Sequence, residues 1–202
     1  MDSDIWTGGI EVSWMMVAMR VHLETERLVL RRLTADDLDN LVELDSDPEV
    51  MRYLNGGHPT PREQLRDQGL PRILAYYEQG DDLGYWAVEA EGAFLGWVFF
   101  RPHRDFDPPA PVDRSGIEVG YRLRREAWGK GYATEACRAL IDRGFATVGV
   151  QRVYAETMAI NTGSRRVMEK CGLKHVATFM FEDADEVQYA LTVQEWYTQR
   201  IG

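Results

Sequence analysis

The 202-residue chain carries 23 Lys and Arg against 33 Asp and Glu, a formal net charge of -10, with 45% hydrophobic and 11% aromatic residues. These are globular values for one ordinary domain long enough to bury its own core, and the negative balance argues against nucleic acid or an anionic membrane as the main partner. Four scattered histidines (His22, His58, His103, His175) and two cysteines (Cys137, Cys171) give no metal-ligand spacing and fit a reduced, cytoplasmic protein.

Residues 1–20 stand apart from the rest, and residues 21–202 read as a single domain. Ile10 to Ala18 is apolar but too short to span a bilayer, and Asp2 and Asp4 stand where a signal peptide carries positive charge. Met15, Met16 and Met19 leave a misassigned start as one reading, with an extra strand or an arm onto a partner subunit as the others. Val21 to Leu33 alternates as a strand. Thr34 with Asp37 three residues later marks a helix start, and Leu38, Leu41, Val42 and Leu44 line one face of that helix. Its other face is acidic (Asp36, Asp37, Asp39, Glu43, Asp45, Asp47, Glu49) and reads as a solvated surface. A loop from Asn55 to Pro61 leads to a further helix ending at Gln79. Strands Tyr85 to Glu89 and Phe94 to Arg101 flank the turn Glu91-Gly92. Arg101 to Ser115 holds four prolines and no periodicity, a loop long enough to serve as a lid or a subunit contact.

The next stretch is the most informative. Strand Ile117 to Leu123 runs into a short loop carrying Gly129-Lys130-Gly131, and an amphipathic helix follows with Ala133, Ala136, Cys137, Leu140, Ile141 and Phe145 on one face. Strand, glycine loop and helix start aim free backbone N–H groups and the positive end of a helix dipole at a phosphate. The pattern is not a P-loop, because Gly131 occupies the place of the hydroxyl that holds magnesium. Nor is it a dinucleotide fingerprint, since Thr134 takes the third glycine position. Arg152 to Met158 then reads as a strand and Thr162 to Cys171 as a helix closed by Gly172. Val176 to Phe181 and Glu186 to Thr192 form a final antiparallel pair.

Several segments in this order resemble the GCN5-related N-acetyltransferases, in particular the RimJ/RimL-type branch that acetylates ribosomal-protein N-termini. They are Leu23 to Leu33, Asp47 to Leu54, Tyr121-Arg122-Leu123, Trp128 to Ala136, and the asparagine-led helix Asn161 to Leu173. The resemblance implies an α+β fold, a mixed central sheet flanked by helices and splayed into a V between its fourth and fifth strands, 117–123 and 152–158. It further implies acetyl-CoA as cosubstrate and no metal. The cofactor would be held by Tyr121, Arg122 and Leu123 through main chain, by Trp128, Gly129, Lys130, Gly131, Tyr132, Ala133 and Thr134 at the pyrophosphate, and by Asn161. The pyrophosphate would sit on the N–H groups of Ala127 through Ala133, with Arg124, Arg125 and Lys130 adding charge nearby. Glu126 departs from the Gln or Arg that usually opens this motif, and Trp128 reads as a packing residue.

The implied reaction is direct attack of a primary amine on the thioester. Glu118 on the cofactor strand is the leading base, with Glu182 and Asp183 in reserve, and a backbone N–H of Gly120 or Tyr121 would meet the oxyanion. The family's usual thiol-acid tyrosine is replaced by Met168, and Ser164, three residues after Asn161, matches the serine of the N-terminal-acetylating branch. The first acceptor implied is a protein N-terminus. A small cationic amine (an aminoglycoside or polyamine) is the alternative, and a non-catalytic acetyl-CoA-binding regulatory module is the reading from another class. The acidic helix would border the acceptor site and draw a cation. Either a monomer or a homodimer is compatible with the sequence.

Overall fold

The protein is described by a computed structural model at residues 21–103 and 109–201. The N-terminal extension and the centre of the proline-rich loop, residues 104–108, lie outside the described residues. An eight-stranded sheet has the order β1-β2-β3-β4-β5-β6-β8-β7. The strands are β1 (Val21–Glu24), β2 (Val29–Arg32), β3 (Gly84–Ala90), β4 (Ala93–Pro102), β5 (Ile117–Leu123), β6 (Arg152–Met158), β7 (Lys174–Phe181) and β8 (Ala184–Thr192). Helices α1 (Leu38–Ser46), α2 (Pro48–Asn55), α3 (Arg62–Gln64) and α4 (Leu70–Ala75) precede β3, α5 (Tyr132–Arg143) follows β5, α6 (Thr162–Lys170) follows β6, and α7 (Val193–Ile201) closes the chain. All strand pairs are antiparallel except β5 with β6. The α+β class and the mixed sheet with flanking helices are as the sequence implies.

Alternation along the strands sorts side chains onto two faces. Trp86, Val88, Val98, Phe100, Val119, Val153, Ala155 and Leu191 meet α5, α6 and α7 in one core, from which Ala136, Cys137, Leu140 and Ile141 project off α5. On the opposite face Leu33, Leu41, Leu44, Val50, Leu65, Leu70, Ala87 and Phe94 form a second core under α1 to α4. No helix among the described residues is long and apolar enough to cross a membrane.

Three elements differ from the sequence expectation. The strand expected over Val21 to Leu33 is two strands, because a turn closes from the Thr25 N–H to the Leu28 carbonyl (2.9 Å). The single helix expected from Pro61 to Gln79 is interrupted by a π turn over Leu65–Gly69 and ends in a 3-10 turn over Tyr76–Gln79. Helix α7 was not anticipated; it is only weakly amphipathic, and Trp196 fastens it by packing against Phe145 (5.5 Å between ring centroids) and donating to Asp142 (2.8 Å).

Asp37, expected on a solvated face, is buried. It accepts two hydrogen bonds from the Arg31 guanidinium (2.8 and 2.7 Å) and one from the Thr34 N–H (2.8 Å). Burial alone would raise its pKa, but the bonds from Arg31 and Thr34 hold it below the ordinary aspartate value. We expect Asp37→Ala to destabilise the fold by about 1–3 kcal/mol, since it removes two of the hydrogen bonds of the Arg31 guanidinium and leaves that charge paired to Glu89 (2.7 Å). Urea titration checks this. Because the carboxyl is depressed in the folded state, its contribution is intact above the unfolded pKa and disappears as pH falls through the folded one. The wild-type advantage over the variant therefore shrinks below about pH 4.

Candidate active site

Strands β5 and β6 pair at only two positions, Ile117 with Val153 and Glu118 with Tyr154. Beyond them the strands part. β5 stays paired to β4 along all its length, from Ile117–Pro102 to Leu123–Gly96, and β6 stays paired to β8 from Arg152–Thr192 to Met158–Glu186. The facing edges from Val119 on β5 and Ala155 on β6 therefore have no strand partner, and their backbone groups are open to a ligand that can hydrogen-bond like a strand.

This opening belongs to a cavity of about 940 Å³ that runs from the glycine loop to the α2 side of the sheet. At the loop end, Gly129 and Gly131 have φ of +72° and +85°, in the left-handed region that favours glycine. A Cβ on Gly129 would meet nothing within 4 Å, so its outer side is clear. Gly131 is the N-cap of α5, and no side chain caps the helix. The first N–H groups of α5 thus face the cavity without an intrahelical partner. Their owners Tyr132, Ala133 and Thr134 line it. The expected cradle is shorter than the sequence suggests, because the Ala127 and Trp128 N–H groups are spent on the carbonyls of Arg124 and Arg125 (3.0 and 3.1 Å). A brace unseen in the sequence holds the loop from the β1–β2 turn. Arg27 donates to Glu135 (2.7 Å) and to the Lys130 carbonyl (3.0 Å), with its guanidinium 4.8 Å from the Tyr132 ring centre.

The other end of the cavity is built on the α2 side. Tyr85, Trp97 and Phe99 form an aromatic floor with ring centroids 5.2–5.9 Å apart, and Tyr53 and Leu54 of α2 stand on the opposite wall. Glu118 sits at the point where β5 and β6 part, paired to Arg101 at 3.1 Å. On the facing strand Glu156 also lines the cavity; Arg114 donates to it (3.0 Å from Nε), as does Gln188 (2.9 Å). Glu156 and Arg101 were not singled out by sequence, although alternation along β6 and β4 puts both on the face that carries Glu118. Glu186 lies one step along β8 from Gln188 on that face. Desolvation, and then the negative charge of Glu156, push its pKa up to about 7.

Several expected side-chain roles are redistributed. The Arg122 guanidinium is committed to Asp45, which is 3% exposed, and lies over Trp97 (4.9 Å). Arg124, expected near phosphate, pairs with Glu43 (2.6 Å) and bonds Asn40 (3.2 Å). The acidic helix is thus largely neutralised from within rather than left to attract a cation. Trp128, expected as packing, is 46% exposed and donates to the Leu123 carbonyl (2.8 Å). Asn161, expected on the pantetheine, spends its amide inside the protein, accepting from the Ser164 N–H (3.1 Å) and donating to Thr157 Oγ1 (3.1 Å). Ser164 Oγ is 2.8 Å from the Tyr121 hydroxyl. Met168 is buried. Glu182 and Asp183 form the β7–β8 hairpin turn, with φ of +44° and +66°, and do not line the cavity, so neither can serve as the reserve base. Among the described residues no group of three or more His, Cys, Asp or Glu could hold a metal.

Residues 27–174 match the family model described as Acetyltransferase (GNAT) domain. Among curated relatives, an FsC-acetyl coenzyme A-N(2)-transacetylase from Aspergillus fumigatus is 34% identical over 90% of this chain and 80% of its own length. Among solved structures, aminoglycoside acetyltransferase AAC(6')-Ib bound to coenzyme A has a TM-score of 0.69 at 21% identity, over 86% of this chain and 99% of that one. RimL, a ribosomal L7/L12 α-N-protein acetyltransferase in complex with coenzyme A, has a TM-score of 0.70 at 15% identity, over 87% and 99%. At those identities the last two show a shared fold.

Two outcomes follow from this geometry. Gly129→Val should weaken acetyl-CoA binding at least tenfold by calorimetry, because the side chain fills the open side of the loop. The fold itself should tolerate the change at a cost of about 1–2 kcal/mol for the positive φ. Glu186→Gln tests the raised carboxyl. A folded pKa above the unfolded one means that stability is full below the unfolded value and falls as pH rises toward about 7. The glutamine variant, which has no charge to form, should match wild type near pH 4 and exceed its thermal midpoint by a growing margin up to about pH 7.

Proposed function

The chain belongs to the GNAT acetyltransferases and is an acetyl-CoA-dependent N-acetyltransferase, and from that premise we propose that its acceptor is a primary amine of a small molecule, attacked directly in a ternary complex. The observation that carries this reading is the continuity of the cavity, with an open glycine loop at one end and a walled chamber holding Glu118 at the other. A protein N-terminus, the acceptor put first by the sequence resemblance, needs a groove open along the path of the following residues. The chamber is bounded by an aromatic floor and by α2, which supports a compact acceptor over an extended one. The relative similar over nine-tenths of this chain is named an N(2)-transacetylase, and likeness to RimL at 15% identity speaks for the fold alone.

In this reading the pyrophosphate rests on the N–H groups from Gly129 to Thr134, and the pantetheine arm pairs with the open edge of Tyr121, Arg122 and Leu123. Glu118 takes the proton of the incoming ammonium, while Arg101 beside it keeps the carboxylate oriented. Glu156 on the facing lip offers the ammonium a second negative partner. A backbone N–H of Gly120 or Tyr121 receives the oxyanion, a donor worth about 3 kcal/mol in comparable sites. Ser164 stands on the thiol side of the thioester, and Asn161 positions it by capping α6.

The test is thiol release from acetyl-CoA across polyamines, aminoglycosides, small α-amino compounds and short peptides with varied N-termini. Turnover confined to small amines is the expected result, and preference for peptides would overturn the assignment of the acceptor. Glu118→Gln and Ser164→Ala should each lower kcat about 100-fold with the KM for acetyl-CoA little changed. Unchanged turnover in both would remove the mechanism and leave the family intact.

A further inference from the structure

Tyr121 lies on β5 but on the face opposite Glu118, and its ring packs against the core under α5 and α6. From there its hydroxyl crosses the V to the first turn of α6, 2.8 Å from Ser164 Oγ and 3.0 Å from the Ser164 carbonyl oxygen. The Ser164 N–H is held by Asn161 (3.1 Å). Ser164 is therefore gripped at its amide, carbonyl and hydroxyl by two residues, both of which line the cavity with it.

We propose that Tyr121 is a positioning residue for departure of the thiol, its phenol orienting the Ser164 hydroxyl so that the two form a neutral hydrogen-bond chain ending at the CoA sulfur. The inference rests on the reading of Ser164 given above. In the free protein the phenolic O–H has two acceptors within reach, the carbonyl and Oγ of Ser164. As the tetrahedral intermediate collapses, the C–S bond breaks and its electron pair goes to sulfur. The Ser164 O–H then turns to the sulfur, and the Tyr121 O–H turns to Ser164 Oγ. The ammonium has given one proton to Glu118 and, as the amide forms, its nitrogen gives a second to water; the thiolate takes one proton back from solvent later.

Magnitudes favour a donor chain over a proton relay. A thiol of this kind ionises near pKa 8.5 and a free phenol near 10, so full transfer from tyrosine to thiolate is at least about 30-fold uphill. Burial and the neighbouring Cys137 push the Tyr121 phenol further up, while its bond to Ser164 offsets only part of this. The phenol thus stays protonated and remains a donor throughout the working pH range. The position where the family's usual tyrosine would stand holds Met168, so the phenol reaches the thiol side from the strand instead.

A double-mutant cycle tests the chain, with kcat, the KM for acetyl-CoA and the pH profile measured for wild type, Tyr121→Phe, Ser164→Ala and the double variant. Phenylalanine keeps the packed ring, and thermal unfolding together with acetyl-CoA calorimetry verifies that fold and binding survive. Tyr121→Phe should lower kcat about tenfold at constant KM, and the double variant should match Ser164→Ala alone. The wild-type kcat profile should show no tyrosine ionisation below about pH 10. Additive losses, or a rise in KM equal to the loss in kcat, would overturn the proposal. If Ser164→Ala is slow and Tyr121→Phe is normal, this inference alone fails. If Ser164→Ala is normal, the reading of Ser164 falls with it.

Discussion

The arrangement depends on one withheld interaction, the ladder that β5 and β6 do not complete after Glu118 and Tyr154. Backbone N–H and C=O groups left without partners are costly when buried, so an opening of this kind persists only if the flanks hold it. Both do. β5 is bonded to β4 over all seven of its residues, and β6 to β8 over all seven of its own. The separation is fixed by two complete ladders pulling in opposite directions, and a ligand with peptide-like groups gains what the strands forgo.

That gap also brings together side chains that the sheet would otherwise keep apart. Alternation sends Glu118 to the α2 side and Tyr121 to the α5–α6 side. In a continuous sheet the two faces would not communicate. Across the V, a carboxylate approaches from one face and the Tyr121–Ser164 pair from the other, so in the proposed mechanism a thioester lying in the gap would meet a proton acceptor on one side and hydrogen-bond donors on the other. Opposite faces of one strand thus hold the carboxylate and the phenol apart.

Charge is handled with similar economy. The chain is strongly acidic overall, yet its acidic helix is largely compensated from within: Asp37 by Arg31, Asp45 by Arg122, Glu43 by Arg124. Buried carboxylates survive only when paired, because their desolvation otherwise exceeds any gain. The three ion pairs stitch α1 and the turn before it onto β2 and onto the β5 end of the V. They brace one side of the cavity, and Arg27 with Glu135 braces the glycine loop. Glu186 is the contrast: desolvation and the charge of Glu156 raise its pKa, and Arg114 offsets only part of that.

Local sequence decided what local physics governs. Strand alternation from Ile117 to Leu123, the left-handed backbone at Gly129 and Gly131 and the abrupt start of α5 are each set by the steric and hydrogen-bonding demands of a few neighbouring residues, and are legible without coordinates, whereas the Asn161 cap of α6 is not. The glycine loop followed from them, and the fold class from the family resemblance that these segments carry. Tertiary structure alone decided which distant charges meet. Arg122 finds Asp45 77 residues away, Arg27 finds Glu135 at a separation of 108, and Tyr121 finds Ser164 at 43. It also decided that the turn at Glu182 and Asp183 lies off the cavity while Glu156 lines it. The reason is physical: spacing along a chain fixes the face and direction of a side chain, but an ion pair or hydrogen bond acts over about 3 Å, and only the order of strands in the sheet brings two such side chains that close.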